Sequence, residues 1–283
     1  MVDTVSLASI DSGQEGSGER EREARPFFGR LLTIATYLVV PVGLILLWDI
    51  SVRFNIVPRT LIASPLAVAE RLVVLIANGK LEHQVLVSLG RLVQGFLYGS
   101  ILGIAVGTAV GASRVASRLV EPTLLTMLPV PAVAWVPLLI VLFGIGETSK
   151  VLLIGLGSFF TLYLHTAHGI RSADRKLVEV AYILGKSRSV LIRRVLLPSA
   201  LPEIFAAARI AMALSWALLI VAEVIASSSG LGWFIWDARN FNRPADMIVG
   251  MIAIGVLGKL SDALIGRVAR FATRWRDTYG NEK

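Results

Sequence analysis

The chain has 283 residues, of which 55% are hydrophobic and only 17% charged, with a formal net charge of +8 and a mean hydropathy of +0.70. A soluble domain carries about a quarter charged residues, so this composition excludes an ordinary soluble fold, and apolar runs near the roughly 20 residues that cross a bilayer recur along it. The absence of cysteine excludes a disulfide framework, a thiolate nucleophile and a cysteine metal site.

In lipid every backbone polar group needs an internal partner, so spans are helices or closed barrels. These runs lack the alternation of barrel strands, and the expected fold is all-α with about six transmembrane helices. Residues 1–30 are polar and rich in Gly, Ser, Glu and Arg, which reads as a disordered N-terminal tail. The apolar run 31–50 ends without a small-residue cleavage site and reads as a first span rather than a leader. Between it and the next span, Leu66, Val68, Ala69, Leu72, Val73 and Ile76 cluster near helical spacing beside Glu70 and Arg71, the pattern of a helix lying at the membrane surface. Further spans are expected over 89–112, 119–143, 151–170, 201–226 and 248–271, so that 31–283 forms one transmembrane domain.

Several of these spans carry residues with chemistry of their own. Gly103, Gly107 and Gly111 recur at four-residue intervals, a face that lets a neighbouring helix approach closely, either in the same subunit or in a second one. Pro129, Pro131 and Pro137 fall inside the third expected span; proline removes a backbone donor and kinks a helix. His165 and His168 lie three apart without a carboxylate nearby on their helix, which favours a structural or interfacial role over a metal site. Ionisable side chains in spans are costly. Lys259 and Asp262 are spaced to pair with each other, Asp262 is also at a depth to meet Arg209, and Glu223 lies late in the fifth span.

Lys and Arg near span ends set orientation. Residues such as Arg20, Arg30, Arg114, Arg118, Arg171, Arg175, Lys186, Arg193, Arg267 and Arg276 fall on one side and outnumber those on the other. The expected topology has both termini and residues 172–198 in the cytoplasm, with 144–150 and 227–246 outside. Basic residues flanking spans account for the net charge through lipid headgroups, so no nucleic-acid partner is expected. The string GIGETSK at 144–150 lacks the Gly-Lys pair of a phosphate-binding loop, and nucleophile elbows, metalloprotease helices and paired catalytic carboxylates are absent. The chain is therefore expected to be no enzyme and to hold no cofactor or metal.

The cytoplasmic stretch EVAYILGKSRSVLIRRVLLP, 179–198, sets Glu179 and Ala181 six and four residues before Gly185, and Leu197-Pro198 at its end. This resembles the EAA loop of ABC importer permeases, with Val180 where Ala is usual and Val195 where Ile is common. The resemblance extends over about 63–275 to the nitrate/sulfonate/taurine branch: SPLAV at 64–68, Ser88-Leu89-Gly90-Arg91, Pro129-Val130-Pro131-Ala132, VPLLIVLFGIGETSK at 136–150, Ala222-Glu223 and Gly230-Leu231-Gly232. It implies a type I importer permease in a bacterial inner membrane, working as a homodimer with a separate ABC ATPase and an extracytoplasmic solute-binding protein. The cargo it implies is a small anion such as a sulfonate, taurine or nitrate. The ATPase would dock on the loop about 172–198 through Glu179, Ala181, Gly185, Leu197 and Pro198. Gly185 would let the chain leave a short docking helix, and Pro198 would open the next span. Pro129, Pro131, Trp216 and Glu223 are candidates for the translocation path or its gate. The competing reading is an ATP-independent secondary carrier or channel.

Overall fold

A computed structural model describes residues 27–58 and 60–274, with side-chain surroundings from Val39 onward. Residues 1–26 of the expected tail, 1–30, lie outside the described residues, and its last four, from Phe27, are helical. The chain divides at Arg59/Thr60 into two units. The first holds α1 (Phe27–Arg53), which contains Pro41 and covers the run read as the first span. Near its end, Arg53 pairs with Asp49 one turn earlier at 2.6 Å.

The second unit begins with α2 (Pro65–Ala77). Ser64 caps it, its hydroxyl accepting from the Ala67 N–H at 3.3 Å, and Pro65 opens the first turn, where a missing N–H costs nothing. The helix expected here is present; Val68 and Leu75 are buried, while Leu66, Val73 and Ile76, on the expected apolar face, are exposed. Arg71 projects from α2 to a carboxylate fork on Asp246, whose hydrogen bond raises the guanidinium pKa above its usual value.

The long helices are α3 (Lys80–Ala112), α6 (Glu147–Arg171), α9 (Leu197–Ala226) and α11 (Pro244–Ala272). Among the described residues these account for four helices long and apolar enough to cross a membrane, each passing that test. A fifth crossing arises if α4 (Arg114–Met127) and the helical stretch Ala132–Phe143, bent 91° to it, count as one. That stretch is a 3-10 turn (Ala132–Trp135) followed by α5 (Val136–Phe143). The count of six expected from hydropathy is not reached among the described residues. The third expected span is thus broken rather than straight, and Pro129 and Pro131 occupy the break. Proline there cannot donate to a continuing helix.

The α3–α6 seam organises the unit. Gly95, Gly99, Gly103, Gly107 and Gly111 form one stripe on α3. A methyl group added at Gly103 would lie 2.6 Å from the Phe159 carbonyl oxygen, and one at Gly107 would lie 2.7 Å from that of Tyr163. Side chains any larger than hydrogen would drive the helices apart, which settles that the glycine face serves packing within one chain. Higher numbers on α3 meet higher numbers on α6, so the two run parallel, and the bent α4–α5 segment must return the chain from one end of the bundle to the other. On the opposite side of α6, Gly157 faces Leu218 and Gly169 faces Ala200, so α9 runs antiparallel to α6. The layered core that results includes Leu162, Ile170, Ala200, Ile204, Ala207 and Ala211.

The remaining elements are α7 (Arg175–Ile183), the one-turn α8 (Arg188–Leu191), and α10 (Leu231–Asn240). The sequence expectation for the fifth span is 201–226, with Pro198 opening its first turn after a loop. Instead α8 passes through a π-helical segment (Ile192–Leu196) straight into α9. Pro198 does not stop this helix, because it sits in the first turn of α9, and the wider π turn just before it accommodates a residue that cannot donate.

Candidate functional site

Two polar constructions lie at opposite ends of the bundle. The first is the segment between α6 and α9. Asp174 caps α7, its carboxylate accepting from the Lys176 N–H at 2.9 Å. The helix ends at Gly185, whose φ of +63° is the left-handed conformation in which a Cβ is strained. There the Lys186 N–H donates to the Ala181 carbonyl at 3.1 Å and the Gly185 N–H to that of Tyr182 at 2.9 Å. This paired closure is a Schellman ending. Ala181 is buried with Leu191, Leu196 and Ala200, which seats α7 on the start of α9. Its other faces stay open: Glu179 is exposed, as are Val180, Tyr182, Ile183 and Leu184, with Ile183 at 83%. Leu197 and Pro198 are half-buried and belong to the helix rather than to the loop. Arg188 donates to the Ala112 carbonyl at 2.9 Å, tying the segment to the last turn of α3, and Arg171 at the end of α6 pairs with Glu121 of α4 at 2.6 Å.

The second construction surrounds Arg91, where α3 and α6 begin and α9 ends. The Glu223 carboxylate is fully buried. One oxygen accepts from Ser88 Oγ at 2.7 Å and Arg91 Nη1 at 2.8 Å, and the other from the Gly232 N–H at 2.7 Å. The Leu231 N–H donates to Ser88 Oγ at 2.8 Å and the Gly230 N–H to Gln84 Oε1 at 2.6 Å. Three consecutive amides at the start of α10 are thus capped by side chains from α3 and α9, three of the four donors that a helix start leaves without a partner of its own. Gly230 has a φ of +107° and lies against the Glu223 carboxylate with no room for a Cβ. Arg91 also donates to the Ser229 carbonyl at 2.7 Å. Its outer edge grips Glu147 at 2.6 and 2.8 Å, and Lys150 reaches Glu147 at 2.9 Å and Ser227 at 3.4 Å.

The candidate path residues are distributed differently from one another. Pro129 and Pro131 are exposed at the break before α5. Trp216 is buried on α9, with no hydrogen-bond partner at its indole N–H. Glu223 belongs to the Arg91 network of its own chain. Asp262 pairs with Arg209 rather than Lys259, at 2.6 and 2.8 Å, joining α9 to α11. His165 meets Glu203 of α9 at 2.6 Å, and no group of three His, Asp or Glu side chains among the described residues is placed to hold a metal. Sequence reasoning missed Arg91 as the partner of Glu223, although the expected topology put both near the same face of the membrane.

Residues 99–274 match the family described as binding-protein-dependent transport system inner membrane component. The chain is 37% identical over 242 residues to the putative aliphatic sulfonates transport permease protein SsuC of Bacillus subtilis, covering 86% of this chain and 88% of that one. It is 38% identical over 256 residues to the protein of the same description from Escherichia coli, covering 90% and 97%. A bicarbonate transport system permease protein, CmpB, of Synechococcus elongatus is 33% identical over 192 residues, covering 68% and 69%. Among solved structures, a chain of the inward-facing MetNI methionine ABC transporter aligns with a TM-score of 0.59 at 20% identity, over 66% of this chain and 93% of that one. That likeness speaks for the fold alone.

Proposed function

Because the chain belongs to the family of binding-protein-dependent transport system inner membrane components, we propose that it forms the translocation path of an ABC importer for a small oxyanion of the sulfonate, taurine or nitrate class. The chain is a non-catalytic, multi-pass membrane subunit. Power would enter from a separate ATPase docked on residues 172–198, and cargo from a solute-binding protein on the opposite face. The observation that carries the docking assignment is α7: a short helix with an exposed apolar tip, closed at Gly185 and seated through Ala181 on the helix that becomes α9. Apolar groups of this size left open outside the spanning helices call for a partner.

The substrate class follows from the relatives, two of which are described as aliphatic sulfonate permeases. The excess of Lys and Arg on the side that carries α7 supports a cytoplasmic docking segment with both termini inside. Two copies related by a two-fold axis would enclose the path between them. Pro129 and Pro131, exposed at the break before α5, would line it, whereas Glu223 is taken up by the Arg91 network of its own chain.

Reconstitution with its ATPase and binding protein tests the substrate assignment. ATP hydrolysis is expected to rise with methanesulfonate or taurine. Stimulation by a neutral or cationic solute, with none by any sulfonate, nitrate or bicarbonate, would overturn it.

A further inference from the structure

Arg91 and Lys150 are cations whose side chains are only 5% and 6% exposed. They share Glu147, whose side chain is 62% exposed. The two carboxylates of the network are therefore unequal. Glu223 is fixed from three directions and caps α10. Glu147 is the first residue of α6, and its carboxylate bonds are to the two cations: Arg91 Nε and Nη2 hold both oxygens as a fork, and Lys150 adds a third contact to Oε1. A planar fork with an ammonium beside it is the arrangement that recognises a carboxylate or sulfonate. The first turn of α6 adds the positive end of its helix dipole.

We infer that Arg91 and Lys150 form a small-oxyanion site, which Glu147 occupies as a displaceable internal ligand at the end of the bundle opposite α7. A carboxylate or sulfonate arriving from solution takes the Arg91 Nε/Nη2 edge and Lys150, and Glu147 turns into solvent. The other edge of Arg91 keeps its bonds to Glu223 and Ser229, so the cap on α10 stays intact. Neither buried cation is left unpaired by the exchange, and an unpaired buried charge is the costly state. This gives the oxyanion reading a place on the protein. It rests on that reading only for the choice of probe.

The test uses the purified full chain alone in lipid nanodiscs, so a failed import assay leaves its outcome standing and the reverse also holds. Methanesulfonate is titrated at constant ionic strength against chloride, and binding is followed by the thermal unfolding midpoint and by calorimetry. A tethered carboxylate competes at an effective concentration in the millimolar range, so the wild type is expected to bind weakly and Glu147→Ala at least about tenfold more tightly. Glu147→Ala/Lys150→Met is expected to lose that gain. Glu147→Gln, which keeps the side chain's shape, is measured in parallel and is expected to shift in the same direction. Folded Glu147 variants without tighter binding, or a gain that survives Lys150→Met, would overturn the site.

Discussion

Arg91 shows how one side chain can settle the arrangement of three helices. It rises from α3, neutralises Glu223 of α9 and holds the Ser229 carbonyl ahead of α10. Removing one partner of a buried pair strands the other charge. Arg91→Met is therefore expected to lower stability by about 3–5 kcal/mol, and Arg91→Met/Glu223→Leu to cost less than that single change, because no charge is then left without a counter-ion. Unfolding of the purified variants by denaturant would check this, and a double variant no more stable than the single one would contradict it. Such pairings were only partly legible in the sequence. Arg209 and Asp262 could be matched by depth on two spans. Arg91 and Glu223 lie on two helices far apart in sequence that meet only in the folded chain, and no periodicity reports that. An isolated acid late in a span resembles a gate residue until its partner is seen.

At the level of elements, the α3–α6 seam makes the sharpest demand on sequence. Gly90 and Gly107 lie on the same helix in opposite circumstances: a methyl group at Gly90 meets nothing within 4 Å, whereas one at Gly107 lies 2.7 Å from the Tyr163 carbonyl and from Thr166 Cβ. Gly90→Ala is expected to be neutral or to stabilise the helix by roughly 0.5–1 kcal/mol. Gly107→Ala is expected to destabilise by about 1–3 kcal/mol through overpacking. Equal thermal midpoints for the two would sink the close-packing account. The stripe itself could be read from Gly103, Gly107 and Gly111, but those residues carried no information on which helix fills the groove. Hydropathy also placed the centres of the long helices well. Their ends ran longer, since residues 80–88 and 188–200 are helical yet amphipathic and fall below an apolar threshold. Pro198 looked like a boundary because a proline usually is one, and a π turn before it cannot be inferred from composition.

Across the whole molecule, α6 links the two polar ends. Its 25 residues span about 37 Å at 1.5 Å per residue, the thickness over which a pull at α7 would have to act. α7 is seated on the start of α9, α9 packs along α6, and α6 is locked to α3 by the glycine stripe, so the segment at one end and the Arg91 network at the other are joined by closely packed helices. A displacement of α7 would then be carried as a rigid-body movement rather than absorbed in soft loops. This is the physical support for the proposal that power enters at residues 172–198.

Reconstituted with its ATPase and binding protein, the variant Gly185→Pro probes that assignment at one residue. Proline cannot adopt the left-handed φ found there, and Gly185 lies outside the long helices, with nothing within 4 Å of its Cβ position. The decisive observation is uptake of labelled substrate into proteoliposomes, with co-purification of the ATPase measured on the same samples. The account expects a protein inserted and folded as in the wild type, with loss of bound ATPase and uptake reduced to background. Wild-type uptake with the ATPase still bound would show that residues 172–198 do not couple the two subunits.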